Sequence, residues 1–524
     1  MSKGSPHSIK MYIGVILLPL FTVCDGARIL ALVPFPSKSH WIVIEPLFQE
    51  LAARGHQVTV FSSFPQKKPL PNYTDVDCSG SVPPGVSGFS IERIRQTMPS
   101  PWETIHFIRE YNEESCKILG EPKLQNVLKS KERYDLLITE LFASDCFTYV
   151  AYKLKIPLIS YTTSTAMPWG ADRVGYPDNP SYITNLFVGF SPEMTLWQRI
   201  YNTAVLVYTK FWHLCVYAKW TQNSVEKIFS EALPPLHEVV GNTSLVFVNS
   251  YHALAQSRPF PPGVIEIGGI HIKESQPLMK DMQQILDNSK KGVIIMSFGS
   301  LVRTSALQKP IIQMFMNVFS EISQTVIMKY EESLPQAPPN VILREWLPQR
   351  DLIEHENVVA VIGHGGLSSL TETVYVGKPM IGIPFFADQY VNIANIVRRG
   401  AGIQLDYDDL SEEKIRIAVD EILNNPKYKD NMRRLSQQFR DRPMTPLQTA
   451  VYWTEYVIRH QGAPHLRPAS VNMPLYQYLL LDVIFVLTAL LAFVLLAFYW
   501  LIRLTFYSIK LVISNKTVNL EKCK

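Results

Sequence analysis

The sequence is poor in the features that mark small disulfide-rich scaffolds, metal proteins and nucleic-acid-binding proteins. Six cysteines are few for 524 residues, and none lies in a Cys-x-x-Cys pair or at a Cys/His spacing typical of a metal site. The formal net charge is only +4 and the basic residues are scattered, so no nucleic-acid surface is predicted. Charged residues make up 18% and hydrophobic residues 47% of the chain, which excludes disorder and allows two domains with large cores.

The longest uncharged apolar runs lie near the two ends of the chain. At the N-terminus, Lys3 and Lys10 precede an apolar run that ends in small residues, an arrangement typical of a signal peptide, which we predict over 1–26. Near the other end, the run from Val483 to Ile502 carries no charge. It is long enough to cross ~30 Å of hydrocarbon as a helix that rises ~1.5 Å per residue.

Basic residues follow this second run and predict its orientation. They are Arg503, Lys510, Lys516, Lys522 and Lys524. Because positive charge collects on the cytosolic side, we predict a single-pass protein of the endoplasmic reticulum membrane, with a lumenal border and transmembrane helix over 473–502 and a cytosolic tail over 503–524. A lumenal chain would offer Asn72 and Asn242 as glycosylation acceptors, and would permit a disulfide whose pairing the sequence does not specify.

Apolar runs of strand length alternate with helical patterns in the first half of the chain. The predicted strands cover 28–34, 57–62, 134–139 and 156–161. A helical pattern over 41–54 joins the first two strands and completes a βαβ unit. Strands of this kind, separated by helices, predict a parallel sheet covered on both faces.

A second set of such signals follows the proline-rich run over 259–263, which has the composition of a linker. The predicted strands here cover 292–297, 325–328, 341–343, 358–362 and 379–383. The chain is therefore predicted to be an α/β protein with two doubly wound, Rossmann-like domains, over 27–262 and 263–472. Such folds bind ligands at the carboxyl ends of their strands, so the cleft between the domains is the expected active site.

The segment over 346–389 carries the most informative motif. In it, the predicted strand over 358–362 runs into a tight turn that contains His364, Gly365 and Gly366 and opens a helix. A glycine-rich turn before a helix is an anion site, because free backbone N–H groups and the positive end of the helix dipole face the same point. The two glycines allow a diphosphate to approach closely, and the imidazole adds a ring N–H donor.

This segment resembles the signature of the UDP-glycosyltransferase family, and the likeness extends over nearly the whole chain. The resemblance implies a GT-B fold, with two domains facing a cleft, a C-terminal transmembrane helix and a UDP-sugar donor. It also implies an indole that stacks on uracil, a carboxylate for the ribose hydroxyls and an Asp-Gln pair for the sugar hydroxyls. Ser300, in the turn after a predicted strand, matches a further phosphate or nucleotide contact. The donor-binding residues implied in the signature are Trp346, Gln349, His364, Gly365, Gly366, Ser368, Glu372, Asp388 and Gln389.

His40 follows the first predicted strand at the mouth of the cleft, and the resemblance implies that it is the general base. Histidine titrates near neutral pH and so suits the removal of a hydroxyl proton. The resemblance further implies a carboxylate just after Thr139 that orients the imidazole. Glu140 has the expected register with a longer arm, whereas Asp145 has the expected chemistry in an insect-like context. We favour Asp145 and keep Glu140 as the alternative.

The reaction implied by the resemblance is an inverting transfer of a sugar to a hydroxyl of a small lipophilic acceptor. Insect-like members favour glucose, and glucuronate is the alternative because Asp388 and Gln389 would recognise hydroxyls that both sugars carry. No Asp-x-Asp metal motif lies in a suitable place, and the helix N-terminus with His364 can offset the diphosphate charge, so no metal or other cofactor is expected. A non-catalytic lumenal protein that binds nucleotide sugars is a further alternative, and homo-oligomerisation stays open.

Overall fold

The computed structural model describes residues 26–83, 91–98, 100–130, 132–299, 302–334 and 336–521. Ser300 and, apart from Gly26, the predicted signal peptide lie outside the described residues.

The first domain is built on a parallel sheet of seven strands with the order β3-β2-β1-β4-β5-β6-β7. Its strands are β1 (Arg28–Val33), β2 (Gln57–Ser62), β3 (Tyr73–Asp77), β4 (Leu136–Glu140), β5 (Leu158–Thr162), β6 (Thr243–Val248) and β7 (Val264–Glu266). Central β1 pairs with both β2 and β4, so that Ile29 lies beside Val58 on one side and Leu136 on the other. Central β1 reads as a nearly continuous apolar run, RILALV, because helices cover both faces of the sheet.

The second domain repeats this arrangement with a parallel sheet of order β10-β9-β8-β11-β12-β13. Its strands are β8 (Val293–Ser297), β9 (Thr325–Lys329), β10 (Val341–Arg344), β11 (Val358–Gly363), β12 (Met380–Gly382) and β13 (Gly402–Gln404). The order reverses at β8 and β11, which is where a doubly wound sheet opens a crevice at the carboxyl ends of its strands.

Helices pack on both faces of the two sheets. Those within the first half of the chain are α1 (Lys38–Ala53), α2 (Ile91–Thr97), α3 (Pro101–Cys116), α4 (Pro122–Lys129), α5 (Thr148–Leu154), α6 (Ala171–Val174), α7 (Leu196–Trp212), α8 (Ala218–Phe229) and α9 (Leu236–Val240). The later ones are α10 (Lys280–Asn288), α11 (Lys309–Glu321), α12 (Gln349–Glu354), α13 (Leu367–Val376), α14 (Gln389–Arg398), α15 (Glu412–Asn424), α16 (Pro426–Arg440), α17 (Pro446–Arg459), α18 (Leu475–Tyr478) and α19 (Leu481–Glu521).

The boundary that we predicted between 262 and 263 is wrong. Strand β7 pairs in parallel with β6 and so belongs to the first sheet. The proline-rich run is the turn into this strand, where the backbone N–H of Val264 donates to the carbonyl of Pro261 at 2.9 Å. Proline and glycine mark turns and linkers alike, so composition alone does not separate the two.

Helix α17 returns from the second domain to the first. It contacts α1, β6 and β7, and its buried Ala450, Val451 and Val457 share a hydrophobic core with Ile29 and Trp41. The first domain is therefore completed by residues close to the C-terminal end of the chain.

The last helix is long and apolar. The part of α19 over Leu481–Asn515 is long and apolar enough to cross a membrane, and none of it is buried against the rest of the protein. The segment over 503–521, predicted as a tail, continues this helix.

A disulfide joins Cys116, at the end of α3, to Cys146, in the turn after β4. The Cα atoms of the two residues are 5.8 Å apart. Among the described residues, the free cysteines are Cys78, which is buried, and Cys215, which is exposed.

Candidate active site

A cavity of about 480 Å³ lies in the cleft between the two domains. The loops that line it follow β1, β4 and β5 of the first sheet and β8 to β12 of the second, so the carboxyl ends of both sheets face it. Of the residues singled out by the sequence, it is lined by His40, Trp346, Gln349, His364, Gly366, Ser368, Glu372, Asp388 and Gln389.

On the first domain, an imidazole and a carboxylate form a close pair. Nδ1 of His40 lies 2.6 Å from Oε1 of Glu140, and the hydroxyl of Thr163 donates to the same oxygen at 3.3 Å. The two residues meet because His40 follows β1 and Glu140 ends β4, and these strands are neighbours in the sheet. In the neutral form of the ring, a carboxylate at this distance accepts from Nδ1–H, and Nε2 is then the nitrogen that can accept a proton.

Two phenylalanine rings pack against the imidazole of His40. The ring centroids of Phe35 and Phe142 lie 4.7 Å and 5.2 Å from the centroid of the imidazole. The carboxylate of Glu140 is fully buried, whereas the imidazole keeps about a fifth of its surface exposed toward the cavity. The pair is therefore shielded from solvent at the Glu140 carboxylate and open to a ligand at the His40 imidazole.

Our preference for Asp145 as the partner of His40 is wrong. Both oxygens of the Asp145 carboxylate are engaged elsewhere, one by a guanidinium nitrogen of Arg173 and the other by Nε2 of His213 at 3.1 Å. Burial alone would raise the pKa of Asp145, but the charges of Arg173 and His213 outweigh it and leave the pKa lowered. Between the two acids, Ala143 has a left-handed backbone (φ 49°), and Asp145 is fully buried and is not among the described residues that line the cavity.

On the second domain, the turn between β11 and α13 forms a cradle that only glycine fits. Gly365 has φ +80°, and a Cβ atom added there would lie 2.5 Å from Cγ1 of Ile393. A Cβ atom at Gly366 would lie 2.4 Å from Nε2 of His364. Gly366 is also the N-cap of α13 and, within the part of the chain that the structure describes, no side chain caps this helix. Its first N–H groups therefore remain available for an anion.

The imidazole of His364 is buried beside this cradle. Burial lowers its pKa to about 4, and the positive charge of Lys329 adds to the effect. Its Nδ1 atom is buried and has no hydrogen-bond partner among the described residues. His364 is therefore neutral at neutral pH and keeps a ring nitrogen free for a ligand.

Lys329 is a cavity residue that sequence reasoning missed. It ends β9, and its Nζ donates to the carbonyl of Gly299 at 2.9 Å and to Glu331 at 2.8 Å. The signal that could have revealed it is a lysine at the carboxyl end of an otherwise apolar, buried strand. Its charge is shared with Glu331, and the α13 N-terminus adds a positive partial charge at this wall of the cavity.

The other predicted donor-binding residues converge on one wall of the cavity. The indole of Trp346 is 67% exposed, so its faces are free for stacking. Gln349 begins α12 and its amide nitrogen donates to Ser369 and, at 3.2 Å, to Glu372. Burial raises the pKa of Glu372 to about 7, against the opposing charge of Arg350. The carboxylate thus titrates near neutral pH.

His271 is a second residue that sequence reasoning missed. Its Nε2 lies 3.2 Å from the carbonyl oxygen of Ser368 and 3.9 Å from Oε1 of Glu372. It belongs to the connection between the two sheets and gave no sequence signal, because a single histidine in an apolar segment is common.

Asp388 and Gln389 start α14 and face the cavity. Burial raises the pKa of Asp388, and its carboxylate accepts from the amide of Asn392 at 3.0 Å. The Gln389 carbonyl oxygen accepts from the backbone N–H of Phe385 at 2.8 Å, so its amide nitrogen is the group left for a ligand. Ala387, just before, has a left-handed backbone (φ 51°), the kind of local strain that often accompanies a functional site.

The two predicted glycosylation acceptors lie on exposed turns. Asn72 precedes β3, and its amide nitrogen donates to the carbonyl of Ala52 at 3.2 Å. Asn242 precedes β6 and is also exposed.

Comparisons with known proteins identify the family. A family model described as UDP-glucoronosyl and UDP-glucosyl transferase matches residues 29–517. The chain is 41% identical over 488 residues to UDP-glucosyltransferase 2 of Dactylopius coccus, covering 91% of this chain and 94% of that protein. It is 30% identical over 512 residues to UDP-glucuronosyltransferase 2B30 of Macaca fascicularis, covering 93% and 95%.

Solved structures show the same fold. The glycotransferase of kitacinnamycin matches with a TM-score of 0.58 at 17% identity, and the calicheamicin glycosyltransferase CalG4 with 0.56 at 16%. Each match covers 83% of this chain and 99% of the other. The predicted GT-B fold is thus confirmed, and the chain belongs to the family of UDP-glucuronosyl and UDP-glucosyl transferases.

Proposed function

We propose that the protein transfers glucose from UDP-glucose to a hydroxyl of a small lipophilic acceptor, with inversion at the anomeric carbon. The observation that carries the proposal is the His40–Glu140 pair, which faces the glycine-lined cradle at the N-terminus of α13 across one cavity. A base on one wall and a site for a leaving diphosphate on the other suit a direct displacement.

The proton-transfer side of the proposed reaction belongs to the first domain. Glu140 holds the Nδ1–H group of His40, so that Nε2 takes the proton of the acceptor hydroxyl. The oxygen then forms a bond to the anomeric carbon as the bond from that carbon to the UDP oxygen breaks. The proton ends on His40, where the buried carboxylate stabilises the imidazolium, and a single displacement inverts the configuration.

The leaving group is received by the second domain. The negative charge that develops on UDP meets the α13 N-terminus, the neutral imidazole of His364 and the ammonium of Lys329. In the same proposal Trp346 stacks on the base and Glu372 accepts from the ribose hydroxyls. The Asp388–Gln389 pair holds the sugar hydroxyls.

The acceptor would occupy the apolar end of the cavity. Phe35, Phe107, Ile108, Phe142 and Phe187 line it there, all from the first domain. Such a wall favours an aromatic or aliphatic alcohol over a charged acceptor, because a charge would lose its hydration without a partner.

The donor assignment is tested by comparing UDP-glucose with UDP-glucuronate on a panel of phenols. The 41% identical relative is named a glucosyltransferase and the 30% identical one a glucuronosyltransferase, which favours glucose. We expect kcat/KM to be more than about tenfold higher with UDP-glucose, a difference of about 1.4 kcal/mol. A reversed ratio would assign glucuronate instead, and turnover with neither donor would support a protein that only binds nucleotide sugars.

Stereochemistry and metal dependence test the mechanism. NMR of the product should show the β-anomer when the α-linked UDP-sugar is used, and a retained α-anomer would refute a single displacement. EDTA should leave the rate unchanged, because charge on the diphosphate is offset by Lys329 and the α13 N-terminus. A loss of more than about tenfold would show that a metal is needed.

We also propose that α19 anchors the chain in the endoplasmic reticulum membrane with both domains in the lumen. The exposed turns at Asn72 and Asn242 would then carry glycans. Truncation before Val483 should release a folded protein that no longer pellets after a carbonate wash. Endoglycosidase treatment of the full chain should shift its mobility, and replacing both asparagines with Gln should abolish that shift.

A further inference from the structure

Polar side chains follow one another along the carboxyl ends of four neighbouring strands in the first sheet. The strands β1, β4, β5 and β6 are adjacent in that sheet. His40 lies after β1, Glu140 ends β4, Thr163 directly follows β5 and Asn249 directly follows β6. The His40–Glu140 pair is therefore the beginning of a longer row, and its next member is Thr163.

The hydroxyl of Thr163 contacts both members of the pair. Its Oγ1 atom lies 3.3 Å from Oε1 of Glu140, to which it donates, and 3.3 Å from Nδ1 of His40. Because Nδ1 and Oε1 are themselves 2.6 Å apart, the three atoms form a small triangle. A hydroxyl that donates to a carboxylate keeps two lone pairs with which it can share the Nδ1–H group, so both contacts can exist together.

The carboxylate of Glu140 has few other contacts. Its side chain is fully buried, and within the described ranges its second oxygen, Oε2, has no hydrogen-bond partner. The described hydrogen bonds that hold the carboxylate are thus both at Oε1, from His40 and Thr163. A glutamate side chain loses much rotamer freedom when it is ordered, so the second of these bonds is needed to keep it in one orientation.

The backbone of Thr163 is itself fixed by the next residue of the row. The side-chain amide nitrogen of Asn249 donates to the Thr163 carbonyl at 2.8 Å, and the backbone N–H of Asn249 donates to the carbonyl of Thr162 at 3.1 Å. Asn249 is 1% exposed, so these bonds are shielded from water. The hydroxyl of Thr163 therefore projects from a fixed point at the sheet edge, beside the cavity that Thr163 also lines.

We propose that Thr163 is a positioning residue of the reaction, which holds the Glu140 carboxylate and the His40 imidazole in the orientation that directs Nε2 toward the acceptor hydroxyl. The inference rests on the proposed function, in which His40 is the general base. Its physical basis is geometric, because a reacting group displaced by about 1 Å can lose on the order of 10²-fold in rate. Thr163 does not take the proton itself, since its own hydroxyl donates to Glu140.

A purely structural role for the Thr163 hydroxyl is the competing explanation. The hydroxyl also satisfies a buried acceptor, and such a bond stabilises a fold whether or not the protein is active. The two roles predict different measurements. Loss of a structural bond lowers the melting temperature and leaves the turnover of the folded protein unchanged, whereas loss of a positioning bond lowers kcat.

The test compares Thr163→Val with Thr163→Ser in the full chain. Valine has nearly the shape of threonine but no hydroxyl, whereas serine keeps the hydroxyl and loses a methyl group. We expect Thr163→Val to lower kcat with UDP-glucose and a phenol about tenfold, the effect of losing a hydrogen bond to a charged group. The KM for the phenol and the affinity for UDP-glucose should stay within about twofold of wild type, and Thr163→Ser should recover most of kcat.

The matched control is Thr165→Val. Thr165 lies in the same loop, is 7% exposed and, in the part of the chain that the structure describes, its hydroxyl has no hydrogen-bond partner. The same substitution there should leave kcat unchanged. Steady-state kinetics, calorimetric titration of UDP-glucose and thermal unfolding of every variant separate a loss of turnover from a loss of folded protein.

A double variant shows whether the hydroxyl acts through the carboxylate. Thr163→Val combined with Glu140→Gln should be no more than about twofold slower than Glu140→Gln alone, because residues that act as a unit have strongly non-additive effects. A structural hydroxyl would not produce this coupling in kcat.

Three outcomes would overturn the proposal while leaving the proposed function intact. Wild-type kcat in folded Thr163→Val would make the hydroxyl structural. A Thr163→Ser protein as slow as Thr163→Val would assign the loss to packing of the methyl group. Fully additive losses in the double variant would show that Thr163 acts without Glu140.

In each of these cases His40→Ala would still abolish most turnover. A wild-type chain without turnover, or a fully active His40→Ala protein, would instead refute the proposed function and this inference with it.

Discussion

The two histidines that face the cavity from opposite domains have contrasting surroundings. His40 is partly exposed and its Nδ1 lies 2.6 Å from the buried carboxylate of Glu140. His364 is buried without an acidic partner, and burial with the nearby Lys329 lowers its pKa to about 4. One ring therefore has an acidic partner on its buried side, whereas the other has a basic neighbour and stays neutral.

The difference teaches that the partner, and not the residue type, decides what an imidazole can do. A carboxylate behind His40 stabilises a proton on the ring, whereas a lysine beside His364 opposes one. The proposed base and the proposed phosphate ligand thus cannot exchange roles.

The largest effect should come from breaking the His40–Glu140 pair. His40→Ala should lower kcat by ~10²–10⁴, the range for a lost general base, while the affinity for UDP-glucose stays nearly intact because the nucleotide cradle belongs to the other domain. Glu140→Gln should cost much of the same activity, since the amide no longer stabilises the imidazolium. Steady-state kinetics and calorimetric titration of UDP-glucose measure the two effects.

The double variant checks that the two residues act as a unit. Combining His40→Ala with Glu140→Gln should add little to the loss caused by His40→Ala alone. Additive losses would show that Glu140 acts independently of His40, and the pair would then not be the catalytic dyad.

Asp145→Asn tests whether Asp145 has a structural role and Glu140 the role in the reaction. It should leave the kcat of the folded protein close to wild type but reduce the free energy of unfolding by about 3–5 kcal/mol, because Arg173 would be left buried without its counter-charge. Thermal and denaturant unfolding measure this loss, with Glu140→Gln as the matched charge-neutralising variant. A folded, stable Asp145→Asn protein with collapsed kcat would restore Asp145 as a catalytic candidate.

His364→Ala should act on donor binding rather than on proton transfer. Removing one hydrogen bond to a charged phosphate while the α13 N-terminus remains should weaken UDP-glucose binding about tenfold, or about 1.4 kcal/mol. His252→Ala, which changes an exposed histidine outside the cavity, is the control. Unchanged affinity for UDP-glucose would show that the imidazole does not touch the diphosphate.

The smallest effect concerns pH. Burial raises the pKa of Glu372 to about 7, so below that pH the carboxyl is protonated and loses its capacity to accept two ribose hydroxyls. The Kd for UDP-glucose should therefore fall by about three- to tenfold from about pH 6 to pH 8. His364 stays neutral throughout this window, and Glu372→Gln should flatten the profile. A profile that persists in the Gln variant would assign the titration to another group.

Local patterns predicted the elements of the fold well. The strand predicted over 57–62 is observed with those bounds, and the run over 28–34 is observed as Arg28–Val33. Helix α1 begins at Lys38, three residues before the predicted start, because the backbone carbonyl of Ser37 already accepts from the N–H groups of His40 and Trp41. The domain boundary was missed, since the pairing of β7 with β6 depends on tertiary contacts.

The site was predictable where the motif is continuous in sequence and less so where distant segments meet. The motif residues between Trp346 and Gln389, apart from Gly365, line one cavity. The partner of His40 lies 100 positions away, and only the register between β1 and β4 distinguishes Glu140 from Asp145. Lys329 and His271 belong to segments without any motif, so they become visible only when the strands are assembled.

The return of α17 to the first domain sets rules for recombining this enzyme with its relatives. Its buried face completes a core with α1, so a hybrid joined once, in the connection between the two sheets, would pair a first domain from one parent with a closing helix from the other. Cores tolerate such mismatches poorly because they are close-packed. A working hybrid needs a second junction before Pro446, which makes 446–459 part of the unit that must be exchanged with the first domain.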